Sequence, residues 1–332
     1  MDFINRKIMK NVSRRGFIKL IATTVVLYPF GHQLFARRKE VSVKTYIYKK
    51  VGELEIKVVV HRHDDKIIRP VVVRIHGGAL MMGHRDWENN KLCLKLLEED
   101  YAIVSVDYRL APETKLPDII EDIEDVFDWI HEKGPELFQI DVSKIAVTGN
   151  SAGGYLTLTS GFRVKPRPTV LVAFYGYGDL IGDWYSTPSK HHKSDITEQE
   201  AWEQVSGLPI SDSRDRKGKG SEFYRYCRKY GLWPKAVSGW DPHTEAKKFF
   251  PYMPVKNVTH DYPPTMLIHG SNDTDVPYEQ SVMMAKELKT HNVEHELVTI
   301  PGAEHGLRDG DPELVEAAFN SAVEFINRFM KR

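Results

Sequence analysis

Six short runs of almost uninterrupted apolar residues recur along the chain: PVVVRI, YAIVSV, KIAVTG, TVLVAF, TMLIHG and HELVTI. A strand that is apolar at nearly every position has to be covered on both faces, and helices crossing over either side of a parallel sheet do this. Helix-patterned segments stand between most of the runs, among them WENNKLCLKLLEED, DIIEDIEDVFDWIHEK and AGGYLTLTSGF. The alternation predicts an α/β fold with a mostly parallel central sheet and helices on both faces. Ahead of it, VSVKTYIYKK and LEIKVVVHRH alternate apolar with polar residues, as a half-buried antiparallel hairpin opening the sheet would.

One segment breaks the pattern. Between Asp179 and Pro264 no strand is readable, whereas ordinary connections run to about 2–6 residues. We read 179–264 as a small helical cap inserted over the carboxyl edge of the sheet, within a catalytic domain spanning 37–332. Its basic run RDRKGKG reads as a solvated loop. Its aromatic residues, including Trp184, Tyr185, Trp202, Phe223, Tyr224 and Trp233, either stack on a sugar or aromatic acyl group or form the core of the cap itself.

The chain of 332 residues carries 46 Lys plus Arg and 46 Asp plus Glu. With no net charge it has no global field to recruit nucleic acid or an anionic membrane, and recognition must be local. Cys93 and Cys227 lack the spacing of a metal site or disulfide framework. Residues 1–36 combine basic residues with an apolar stretch of about a dozen residues, too short to cross a bilayer and shaped like an export signal. Ser13-Arg14-Arg15-Gly16-Phe17-Ile18-Lys19 resembles the twin-arginine signal, which implies that export machinery as a partner. An ordinary secretory signal is the alternative. Ala36 has Leu34 two positions before it, a poor cleavage context, so an uncleaved anchor stays open. The expected location is periplasmic or extracellular, with no membrane span in the mature protein unless the signal is retained.

The stretch IAVTGNSAGGYL places Gly149-Asn150-Ser151-Ala152-Gly153 where an apolar strand gives way to a helix. A G-x-S-x-G turn in that context exposes the serine hydroxyl at the strand's carboxyl end. A serine nucleophile needs a base, and the base needs an orienting carboxylate. Asp273, just beyond TMLIHG, and His305, just beyond HELVTI, supply both in the order this fold requires. Asp275, in the same loop, is the alternative acid. Of the other histidines, His243, His260 and His269 read as structural or cap residues, and His191 and His192 as solvent-facing. An oxyanion also needs donors, and His76-Gly77-Gly78-Ala79 after VVVRI, with the N–H of Ala152, provides them.

In this order RIHGGALMMG, VSVDYRLAPE, GNSAGGYL, HGSNDTDVP and GAEHG resemble the α/β-hydrolase superfamily, and HGG with DYRLAPE resembles its hormone-sensitive-lipase-type esterase branch. The likeness covers about Val71 to Gly306, the insert excepted. It implies a serine carboxylester hydrolase with Ser151 as nucleophile, Asp273 as acid, His305 as base, and Gly77, Gly78, Ala79 and Ala152 forming the oxyanion hole. No metal or organic cofactor is implied. Ala79 and Asn150 stand where that branch usually has Gly and Asp, and the first strand follows almost directly on the signal. Secreted esterases that release acetyl or feruloyl groups from carbohydrates look similar in this last respect. The expected partner is therefore a small-molecule or oligosaccharide ester. A general short-chain carboxylesterase, a serine peptidase of the same fold and a silent binding protein are the competing readings.

Overall fold

The computed structural model describes residues 40–86 and 90–331, so the proposed export signal lies outside the described residues. Eight strands form one sheet: β1 (Val41–Val51), β2 (Leu54–His63), β3 (Arg69–Ile75), β4 (Ala102–Val106), β5 (Ile140–Asn150), β6 (Val170–Phe174), β7 (Thr265–Gly270) and β8 (His295–Ile300). Their order across the sheet is β1-β2-β4-β3-β5-β6-β7-β8. β1 pairs with β2 and β2 with β4 in antiparallel fashion, and every other pairing is parallel. The hairpin and the parallel sheet read from the sequence are both present.

Burial follows that order. β4, β6 and β7, each flanked by strands on both sides, are buried at every position. β1, at the edge, is largely exposed and carries Lys44, Lys49 and Lys50, charges that discourage another strand from adding there. Helices α1 (Lys91–Glu98), α2 (Leu116–Phe138), α3 (Ala152–Arg163), α4 (Asp183–Ser186), α5 (Glu198–Glu203), α6 (Gly220–Tyr230), α7 (Trp233–Ser238), α8 (Pro254–Asn257), α9 (Glu279–Thr290) and α10 (Pro312–Met330) complete the fold. α2, α3 and α9 bury apolar residues in one core, with Ile119, Ile123, Phe127, Leu156 and Met284 among them. α1 and α10 build a second core through Leu92, Leu96, Ala322 and Phe325. The two cores are the two faces of the sheet, which is why its inner strands can be apolar throughout.

Helix boundaries follow local chemistry. Asn90 caps α1 by accepting the N–H of Cys93 at 3.0 Å, and Asp311 caps α10 through Glu313 and Leu314. α2 starts with Pro117 in its first turn and runs past the expected end, through Pro135, to Phe138. Between β6 and β7 the described chain forms only helices and turns, as read for 179–264. Cys93 and Cys227 are buried free thiols. No helix among the described residues is long and apolar enough to cross a membrane.

Candidate active site

The turn that leaves β5 sets the geometry. Ser151 adopts φ 55°, ψ −121°, a region L-residues rarely occupy, and its N–H is held by the Phe174 carbonyl at 2.9 Å. The flanking glycines are sterically required. A Cβ at Gly149 would lie 2.3 Å from the Gly153 carbonyl oxygen, and one at Gly153 would lie 2.2 Å from that of Ile75. β3 and β5 therefore approach close enough to set the serine beside the loop that follows β3.

His305 reaches Ser151 from the loop after β8, its Nε2 lying 3.1 Å from the serine Oγ. Its Nδ1 faces Asp273 Oδ2 at 2.7 Å. The Asp273 side chain is fully buried, and its other oxygen accepts the N–H groups of Asp275 at 2.9 Å and Val276 at 2.8 Å. Burial pushes the Asp273 carboxyl up, but bonds from His269 and His305 outweigh it and hold the group below the usual carboxylate range. It is ionised at neutral pH and can stabilise an imidazolium. Glu304 clamps the two loops together by accepting the Thr274 N–H at 3.1 Å and hydroxyl at 2.9 Å. The Tyr175 ring meets the His305 ring edge-on at 4.9 Å, limiting its tilt.

The loop His76–Ala79 curls under the serine. Gly78 has φ 110° and Ala79 has φ 56°, and the Gly78 carbonyl accepts the N–H groups of Met81 and Met82. A Cβ at Gly77 would sit 3.3 Å from Ser151 Cβ, so the loop backbone packs directly against the serine. The N–H of Ala152, in the first turn of α3, has no partner within its helix and is available to a ligand. His76 is structural. It stacks on Tyr108 at 4.3 Å, its carbonyl takes the Tyr108 hydroxyl at 3.0 Å, and burial pushes its imidazole down to about 3, so it stays neutral.

DYRLAPE is a supporting frame for this loop. Arg109 binds the buried Asp122 through Nε and Nη2, both at 2.8 Å, and Glu113 holds Arg216 at 2.8 and 2.6 Å. Arg216 also donates to the carbonyls of Met81 and Ala111. The run RDRKGKG is exposed at Arg214, Asp215, Lys217 and Lys219, as a solvated loop would be, and departs from that reading at Arg216, whose buried side chain ties it to the loop after β3. A second correction concerns His192, which does not face solvent: its Nε2 lies 3.0 Å from Asp275 Oδ1. His191, His243 and His260 are exposed.

His269 is buried and structural, as expected, but it also supports the acid. Its Nε2 lies 2.9 Å from the Val276 carbonyl and 3.3 Å from Asp273 Oδ2, while Nδ1 meets Ser281 at 2.7 Å. Asp275 does not occupy the Nδ1 side of His305, where Asp273 sits. The cap aromatics mostly pack on one another: Trp184 on Tyr185 at 3.6 Å, and Tyr185 on Trp233 at 3.9 Å. Trp233 Nε1 then donates to the Ala79 carbonyl at 3.0 Å. Glu121, Asp122 and Asp125 bring three carboxylates together, but Lys49 Nζ lies 3.0, 2.9 and 2.5 Å from them and Arg109 pairs with two of them, so the cluster already holds two cations.

A parallel α/β sheet that presents a strained serine, a histidine and a buried carboxylate at its carboxyl edge defines a hydrolase of the α/β class. The chain belongs to the alpha/beta hydrolase fold family, whose model matches residues 72–308. Among curated proteins it is similar to the non-reducing polyketide synthase Preu3 of Preussia isomera, with 24% identity over 81% of this chain and 13% of that protein. It is also similar to esterase LipC of Mycobacterium tuberculosis, with 26% identity over 73% of this chain and 54% of LipC. The chain thus spans about an eighth of the polyketide synthase and about half of the esterase. Among solved structures, a Staphylococcus aureus protein of unknown function superposes with a TM-score of 0.67 at 24% identity, covering 86% of this chain and 99% of that one.

Proposed function

We propose that the protein is a serine carboxylester hydrolase acting through an acyl-enzyme. The observation that carries this reading is the unbroken chain of contacts from Asp273 through His305 to the Ser151 hydroxyl. Ser151 attacks the ester carbonyl while His305 Nε2 takes its proton, and Asp273 stabilises the imidazolium at Nδ1. The N–H groups of Gly78, Ala79 and Ala152 receive the oxyanion, with Gly77 giving the loop its close approach. His305 then returns the proton to the leaving alcohol, and a water activated by the same nitrogen discharges the acyl group. None of these steps calls on a metal or organic cofactor.

The substrate class we propose is short acyl, such as acetyl, or feruloyl esters of carbohydrates, met outside the cytoplasm after export on the signal at 1–36. The cap supports a compact substrate: its aromatic residues are engaged with one another, and Trp233 holds it down on the oxyanion loop. Incubation of the purified protein with a fluorophosphonate probe, followed by peptide mapping, tests the nucleophile. Label at Ser151, and loss of p-nitrophenyl acetate turnover in a folded Ser151→Ala variant, are the expected results. Wild-type turnover in that variant would remove the assignment.

A further inference from the structure

Asp275 follows the triad acid by two residues, yet its side chain reaches the other side of the catalytic histidine. Its Oδ2 lies 3.6 Å from His305 Nε2, the nitrogen that also faces Ser151. Three cap groups fix the carboxylate through its other oxygen. His192 Nε2 at 3.0 Å, the Tyr224 hydroxyl at 2.6 Å and Arg228 Nη1 at 2.7 Å all converge on Oδ1. Arg228 is itself buried, lies over the Tyr185 ring at 4.7 Å, and bonds Tyr224 at 2.6 Å, so the assembly is rigid.

The division of labour between the two oxygens is the informative part. A carboxylate oxygen offers about two acceptor positions, so three donors saturate Oδ1. Oδ2 accepts no hydrogen bond from these three groups and lies beside His305 Nε2. Burial pushes the Asp275 carboxyl up, but the bond from His192, the fields of His305 and Arg228 and the bond from Tyr224 hold it well below the usual range, so it stays ionised. The Arg228 guanidinium balances that charge. What faces the substrate is therefore an ionised carboxylate oxygen whose charge is paired from behind by Arg228, a fit for a hydroxyl rather than an ammonium group.

Position narrows the hydroxyl further. The ester oxygen that receives the proton sits within about 2.6–3.2 Å of His305 Nε2 during transfer. Oδ2, 3.6 Å from the same nitrogen, is then within one hydrogen bond of a hydroxyl on the adjacent carbon of the leaving alcohol. Taking the esterase reading as its premise, we propose that Asp275 is a specificity-determining residue whose Oδ2 accepts a hydroxyl vicinal to the scissile ester, selecting esters of polyols and sugars over those of simple alcohols.

The test is kcat/KM of the full purified protein on 2-hydroxyethyl, 2-methoxyethyl and propyl acetate, with acetylcholine as the cationic arm. A hydrogen bond to a charged acceptor predicts a preference of about tenfold or more for the hydroxyethyl ester over the methoxyethyl one, which cannot donate. In Asp275→Asn the amide oxygen can keep the cap donors and the amide N–H replaces Oδ2. That group donates to an ether as readily as to a hydroxyl, so the ratio falls towards one. A wild-type ratio near one, a ratio unchanged in the folded variant, or acetylcholine as the best substrate would overturn the proposal. The wild-type ratio alone decides should the variant not fold. Failure of the wild type on p-nitrophenyl acetate as well as on these esters would instead bring down the esterase reading, and this inference with it.

Discussion

At the scale of single residues, two aspartates two positions apart have different tasks because of what meets them. Asp273 receives backbone N–H groups and two histidines, whereas Asp275 receives an arginine, a tyrosine and a third histidine. Both carboxyls lie below the usual range, so each stabilises the fold above the unfolded aspartate value of about 3.9, and that contribution is lost as pH falls through the folded value. Urea unfolding should therefore show the stability gap between wild type and Asp275→Asn constant above about pH 5 and narrowing steadily below it, through about pH 3 and lower. A gap that stays constant across this range would mean the carboxylate draws no stability from its ionised partners. Ser151, Asp273 and His305 were legible in the sequence because each follows an apolar run, and a strand end is a position that local pattern reveals. The partners of Asp275 were not, since His192, Tyr224 and Arg228 stand in a segment without strand periodicity and meet it only after the cap folds over.

Among the elements, the cap does more than cover. Several of its side chains reach the loops around Ser151 and His305, among them Trp233 from α7, Tyr224 and Arg228 from α6, Arg216 just before α6 and His192 between α4 and α5. Sequence patterning gave the absence of strands between β6 and β7, because a long stretch without them is conspicuous. It could not give the docking, which depends on long-range pairs such as Arg216 with Glu113 that no periodicity encodes. Trp233→Phe preserves the stack on Tyr185 but removes the N–H that holds the Ala79 carbonyl. We expect kcat on p-nitrophenyl acetate to fall about fivefold, the worth of one neutral hydrogen bond, together with a drop in Tm because the smaller ring leaves a void in the buried stack. A large drop in Tm with kcat retained would show that the tryptophan serves packing alone.

For the whole molecule, the six apolar runs dictated the layered sheet almost completely, since no other arrangement covers both faces of so many strands. Cellular address is a property of the chain ends rather than of that sheet. Replacing Arg14 and Arg15 together by lysine should leave the protein in the cytoplasmic fraction of a bacterial host if the twin-arginine reading holds. Export of the double variant at the wild-type level would point to an ordinary secretory route. β6 and β7, between which the cap is inserted, are parallel neighbours, so part of the segment has to serve as the crossover that returns the chain across the sheet. The same segment shares the core with α2 and α3 through Tyr185, Trp233, Met253 and Tyr262, so it is wired in by packing as well as by hydrogen bonds. Anyone grafting a foreign cap onto this scaffold to change its substrate range would have to carry over Trp233, Arg216 and the His192, Tyr224 and Arg228 set along with it, or inherit loops around Ser151 and His305 that no longer hold their places.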